Sequence, residues 1–251
     1  MKTVFISGAT SGIGRATAMR FAGEGWNVII NGRRAERLDK LQKELEASGT
    51  RVLSLVFDVR NREEVEKAVA SLQAEWRDID LLVNNAGLAV GLEHIDKGDP
   101  DDWERMIDTN IKGLLWLTRA VVPLMIARGS GHIVNIGSIA GKEVYENGNV
   151  YCATKHAVDA LSRSMRIDFL KQNIKVTNVA PGMVDTEFSI VRFKGDAAKA
   201  ETPYSGMTPL SGDDVADVIF YCAGLPAHVN INDVLVMPTA QAASTIINRN
   251  E

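Results

Sequence analysis

The chain has 251 residues, 45% of them apolar and 24% charged, a formal net charge of -4 and two cysteines. That balance suits one sizeable globular core. The acidic balance argues against a nucleic-acid partner, and two thiols make neither a disulfide framework nor a metal-ligand cluster. Met1–Ser7 is too short an apolar stretch for a signal peptide, and no apolar run approaches the ~18 residues of a membrane span. A cytoplasmic protein is expected, with no membrane partner.

Short β-branched runs alternate with helical patterns from the first residues onward. Strands are predicted at Thr3–Ser7, Asn27–Asn31, Val52–Phe57, Leu81–Asn84, His132–Ile136, Lys175–Val179 and Val234–Met237. Helices are predicted at Ala35–Ser48, where Leu38, Leu41 and Leu45 share a face and Gly49 ends the run, and at Arg62–Trp76, with Val65, Val69 and Leu72 inward. Others follow at Asp101–Asn110, Ile111–Arg128 with a kink at Pro123, Val150–Lys171 and Asp213–Ala223. This alternation calls for an α/β, Rossmann-type doubly wound parallel sheet of about seven strands, with helices on both faces. One domain is expected, with a cofactor half over 1–140 and a catalytic and substrate half over 141–251. The stretch Gly182–Gly212 is long and rich in loop formers, so a lid is expected over 183–212.

Gly8-Ala9-Thr10-Ser11-Gly12-Ile13-Gly14 follows the first strand and opens the first helix. Glycines there let backbone approach a pyrophosphate at the positive end of the helix dipole, although such runs also occur as plain turns. The second strand ends in Asn31-Gly32-Arg33-Arg34, with no carboxylate to repel a 2′-phosphate. A guanidinium fork binds that phosphate bidentately, which points to NADP; the plainer alternative is a pair of arginines capping a solvated loop. Asp58 and Val59 end the third strand where adenine would lie. Asn84-Asn85-Ala86-Gly87 ends the fourth, where Ala86 and Gly87 admit close backbone and Asn84 bonds ribose or nearby backbone.

Tyr151 and Lys155 stand four apart on a predicted helix and so share a face. A phenol is a poor base at neutral pH unless neighbouring positive charge favours phenolate. Ser138 ends the fifth strand, where its hydroxyl would polarise a carbonyl or hold an alcohol. Asn110 sits in an otherwise apolar helical stretch, Met106–Leu117, where a buried amide needs a partner such as a water beside Lys155.

With these residues in place, the chain resembles the short-chain dehydrogenase/reductase family. The matching features are the glycine motif, Asn84–Gly87, Asn110, Ser138, Tyr151/Lys155 and Pro181-Gly182, in the family's order. The resemblance implies a tetrad: Tyr151 as general acid/base, Lys155 lowering its pKa, Ser138 orienting substrate and Asn110 supporting a proton relay. It also implies that Pro181, Gly182, Val184 and Thr186 meet the cofactor. Ser7 stands where the family usually has threonine, which keeps a hydroxyl.

Three further stretches resemble the branch of NADP-dependent 3-hydroxy acid dehydrogenases that oxidise serine and allo-threonine: Asn31–Leu38, Thr186–Asp196 and Leu225–Asn232. The branch implies a tetramer that also reduces malonic semialdehyde. Ile111–Met125 and Val158–Leu170 are apolar enough for its interfaces, though core packing accounts for the same pattern. A 3-hydroxy acid needs cationic groups for its carboxylate; Arg192, Lys194 and Lys142 are the candidates. Glu93 would meet an amino group, and Tyr145, Phe188, Ile190 and Phe193 would wall the pocket. The histidines His94, His132, His156 and His228 lack ligand spacing, so no metal is expected. The competing readings are a broader carbonyl reductase or secondary-alcohol dehydrogenase and a non-catalytic redox sensor; a pure sensor has no need of the Tyr151/Lys155 pair.

Overall fold

In the computed structural model, which describes residues 1–250, seven parallel strands form one sheet. They are β1 Thr3–Ile6, β2 Asn27–Gly32, β3 Val52–Val56, β4 Leu81–Asn84, β5 Gly131–Ile136, β6 Ile174–Pro181 and β7 Asp233–Val236, in the order β3-β2-β1-β4-β5-β6-β7. The order reverses between β1 and β4, which opens a crevice beyond their carboxyl ends. All of β1, β2 and β4 is buried, as strands covered on both faces must be.

Helices α1 (Gly12–Gly23) and α2 (Ala35–Glu46) pack with Val28, Ile30 and Val83 on one face of the sheet. Leu38, Leu41 and Leu45 of α2 are its buried stripe, as the periodicity requires. On the other face lie α3 (Arg62–Ala70), α5 (Leu114–Arg128) and α6 (Asn149–Asp168). Helix α9 (Gly212–Gly224) returns to the first face and packs on α1, its start fixed by a capping box of Ser211 and Asp214.

Two helical expectations change. The helix predicted to reach Trp76 stops at Ala70, where the Ser71 hydroxyl donates to the Ala68 carbonyl, and a separate turn covers Ala74–Trp76. The helices predicted to part at Asn110 are joined: α4 (Pro100–Ile107) runs through a π-helical turn, Asp108–Gly113, into α5, which continues through Pro123. The joined run Pro100–Arg128 is long and apolar enough to cross a membrane by length and composition, a length the separate predictions did not reach. Its apolar residues Leu114, Leu117, Val121 and Met125 are instead packed in the core against β4 and β5. The expected lid is not bare loop, since it contains α7 (Phe188–Arg192) and α8 (Ala197–Glu201).

Candidate active site

A cleft of about 540 Å3 lies at the carboxyl ends of β1, β4 and β5. One half is lined by Gly8, Thr10–Ile13, Arg33, Arg34, Asp58, Val59, Ala86 and Gly87, as expected for a cofactor groove. Gly8 and Gly12 have φ of +66° and +52°, and a Cβ on Gly8 would lie 2.9 Å from Ala86 Cα. Only glycine fits there without strain, so this wall is bare backbone. The N-cap of α1, Ser11, makes no side-chain cap hydrogen bond, leaving first-turn N–H groups for an anion. Together with Arg33 and Arg34, these features fit a phosphorylated dinucleotide.

Two residues assigned to that groove lie beneath it. Gly14 supports the loop: a Cβ would stand 2.4 Å from both the Gly8 carbonyl oxygen and Asn85 Nδ2. Asn84 is buried and donates to Thr118 Oγ1 and Asn135 Oδ1, both at 2.9 Å, so it meets neither ribose nor backbone. Its neighbour Asn85 shapes the loop, donating to the carbonyls of Ser7 (2.9 Å) and Gly8 (3.0 Å). The Ser7 hydroxyl accepts from the Asn85 and Ala86 N–H groups at 3.1 and 3.0 Å. Serine thus ties β1 to the turn after β4. Arg60, at 2.6 Å and against the opposing effect of burial, holds the Asp58 carboxyl below its usual range.

At the other end of the cleft, Ser138, Tyr151 and Lys155 converge, all buried. Ser138 caps the turn Ile139–Gly141, its hydroxyl accepting from Ala140 N–H, and its side chain favours the Tyr151 phenolate. Lys155 Nζ donates to the Ile136 carbonyl at 2.8 Å and lies 6.0 Å from the Tyr151 ring centre. Burial lowers its pKa to about 8. Burial also pushes the Tyr151 phenol above its ordinary range, aided by Tyr145; Ser138 and Arg192 oppose that shift.

Asn110 is held by the π-helical turn and does not line the cleft. Its Oδ1 accepts from Leu88 N–H (2.8 Å), and its Nδ2 donates to the Leu88 carbonyl (2.8 Å) and Thr154 Oγ1 (3.0 Å). With its side chain satisfied, it clamps the β4 turn to α6 and acts by position.

The substrate candidates divide. Tyr145, Phe188 and Arg192 line the cleft, with the Arg192 guanidinium 5.4 Å from the Tyr145 ring centre and 5.6 Å from that of Tyr151. Arg192 Nε is buried without a partner. Lys142 does not line the cleft. It is drawn away by Asp159 (2.5 Å) and Asp233 (2.6 Å), which staple the Ser138 turn to α6 and β7. Lys194 is likewise held outside by Asp102 at 2.7 Å, and Glu93 is exposed, away from the cleft. Two residues that sequence reasoning missed, Gln241 and Ser244, enter from the C-terminal segment. Gln241 Oε1 accepts from Met183 N–H, and Ser244 N–H donates to Glu143. No local motif marks them, because only the return of the chain past β7 brings them to the lid.

Comparison with known proteins agrees with this geometry. The short chain dehydrogenase family model matches residues 2–196. The NADP-dependent 3-hydroxy acid dehydrogenase YdfG of Salmonella typhi is 52% identical over 240 residues, covering 95% of this chain and 96% of that protein. Sulfoacetaldehyde reductase 2 of Chromohalobacter salexigens is 48% identical, with 96% of each chain covered. The closed form of serine dehydrogenase complexed with NADP+ superposes with a TM-score of 0.93 at 47% identity, covering 99% of this chain and 100% of that one. The chain belongs to the short-chain dehydrogenase family.

Proposed function

We propose that this protein is an NADP-dependent oxidoreductase of 3-hydroxy acids, with serine and allo-threonine among its substrates, and that it also runs in reverse on 3-oxo acids or semialdehydes. The observation that carries this reading is a guanidinium, Arg192, 5.6 Å from the ring centre of Tyr151, the phenol that converges with Ser138 and Lys155 in the cleft. A 3-hydroxy acid carries its carbinol and its anion one carbon apart. A proton acceptor flanked by a cation matches that separation.

Tyr151 takes the hydroxyl proton, and Ser138 holds the alcohol oxygen beside it. Lys155, with a pKa near 8, takes up and releases protons at working pH. Asn110 fixes the distance between the β4 turn and α6 and so supports the relay from behind. NADP+ held in the groove would accept a hydride from the carbinol carbon, and Tyr151 would take the proton of its oxygen, leaving a carbonyl. Phe188, tilted 5.6 Å from the Tyr151 ring, and the rest of the lid exclude water from that step. Gly8, Thr10–Ile13, Arg33, Arg34, Asp58, Val59, Ala86, Gly87, Pro181, Gly182, Val184 and Thr186 hold the cofactor.

A sulfonate one carbon from the carbinol presents the same pair of groups. The likeness to a sulfoacetaldehyde reductase favours such sulfonates as a second substrate class. The same proposal places the enzyme in the cytoplasm as one domain per chain and as a homotetramer. Apolar side chains left exposed at Ile126, Ile167 and Leu170, and at Tyr221 and Leu235, support two distinct interfaces.

The test is initial rates with NADP and NAD on L-serine, L-allo-threonine, 3-hydroxybutyrate, 2-hydroxyethanesulfonate and a neutral secondary alcohol, for the parent and Tyr151→Phe. The expected result is a higher kcat/KM on the anionic alcohols with NADP, and loss of turnover in the variant. Faster turnover of the neutral alcohol than of every anion would overturn the substrate reading.

A further inference from the structure

The first part of the lid is pinned by charge on either side of α7. Just after that helix, Lys194 pairs with Asp102 at 2.7 Å. Just before it, Glu187 reaches across the mouth of the cofactor groove to α2. There Arg37 Nη1 lies 2.8 Å from each of its carboxylate oxygens. Arg34, three residues earlier, reaches the same carboxylate only at 3.3 Å. Its other nitrogen, Nη2, turns into the groove and donates to Thr10 Oγ1 at 2.7 Å and Ser11 Oγ at 3.3 Å. Arg33 is partly engaged by Asp58 at 3.5 Å. Arg37 itself does not line the groove.

With NADP in the groove, Arg34 would therefore stand between two anions, the lid carboxylate that it already meets and the cofactor's 2′-phosphate. One guanidinium cannot serve both fully, and the two anions repel each other. We propose that Arg37 is a specificity-determining residue that never touches the phosphate: by holding both oxygens of Glu187, it leaves Arg34 to the 2′-phosphate when the lid is shut. This inference rests on the reading of Arg33 and Arg34 as the phosphate-holding pair. Without Arg37, the nearest cation to Glu187 is Arg34. The carboxylate then either draws Arg34 from the phosphate or sits uncompensated beside it. Both outcomes weaken NADP and leave NAD, which carries a neutral hydroxyl at that position, unchanged.

The three side chains are each about half exposed, at 45% to 46%, so the effect is modest. A loss of about three- to tenfold is expected, shrinking as salt is added. Titration calorimetry with NADP+, NAD+ and adenosine 2′,5′-bisphosphate reads it directly for the parent, Arg37→Met, Glu187→Gln, the double variant and Arg34→Met. Arg37→Met should weaken both 2′-phosphate ligands by that factor and leave NAD+ unchanged. The double variant should recover to within about twofold of the parent, because the competing carboxylate is gone. A loss that persists in the double variant would mean Arg37 meets the phosphate itself, and the inference fails. It fails equally if Arg37→Met binds NADP+ as the parent does while Arg34→Met does not. If Arg34→Met keeps the full preference for NADP+, the phosphate site has been misassigned and both readings fall.

Discussion

Arg192→Met keeps an apolar stem between the two tyrosine rings and removes the charge. Two effects follow, and they separate by substrate. The first is loss of a charge-assisted contact to a carboxylate in a half-buried position, where Nε has no protein partner. Such contacts contribute about 2–3 kcal/mol, which is roughly 30- to 150-fold in kcat/KM. The second effect is shared by every substrate. Arg192 is among the groups that lower the Tyr151 phenol against its burial, so removing it raises the phenol further. The rising limb of the pH–rate profile for oxidation should then move to higher pH. The assay is kcat/KM across pH for 3-hydroxybutyrate and its methyl ester, followed by absorbance of the reduced nicotinamide. Both substrates should show the same displaced limb, but on the alkaline plateau only the free acid should retain the 30- to 150-fold loss (about 2–3 kcal/mol). Equal plateau losses for acid and ester would refute the carboxylate contact while leaving the influence on the phenol intact.

Three further predictions concern the scaffold. His132 is buried in β5 with its pKa lowered to about 3, so the unfolded chain binds a proton below about pH 6.5 that the folded chain refuses. Stability should fall as pH drops from about 6.5 towards 3, by up to about 5 kcal/mol in total, and His132→Gln should flatten that slope in urea titrations; an unchanged slope would remove His132 as the cause. Gly14→Ala should cost at least about 2 kcal/mol, a drop of several degrees in Tm, because its Cβ would meet the Gly8 carbonyl oxygen at 2.4 Å. Gly23→Ala, with open space at the same atom, should be neutral or slightly stabilising. Lys142→Met leaves Asp159 and Asp233 facing each other and should destabilise by about 2–3 kcal/mol at neutral pH, less in acid where carboxylates protonate. A loss that did not change between neutral and acid pH would rule out those ion pairs as its source.

Much of the molecule is readable from residue order alone. β-branched runs and leucine spacing specify seven strands and most helices, because period and burial are local properties. Gly8–Gly14 announces a tight turn of bare backbone, since only glycine adopts the backbone of Gly8 and Gly12 without strain. Tyr151 and Lys155 announce a shared helical face because four residues make about one turn. What the order does not contain is the partner of each charge. Lys142, Lys194 and Arg192 are equally plausible anion grips in a string of letters. Asp159 and Asp233 claim the first and Asp102 the second, while Arg192 alone reaches the cleft. Asn84 and Asn85 are adjacent and chemically identical. The pleat sends one into the core against Thr118 and lets the other hold the glycine loop. Gln241, Ser244 and the Arg37–Glu187 pair join segments 58 to 150 residues apart. Side chains that distant meet only after the sheet has formed, so their roles were decided by the tertiary structure.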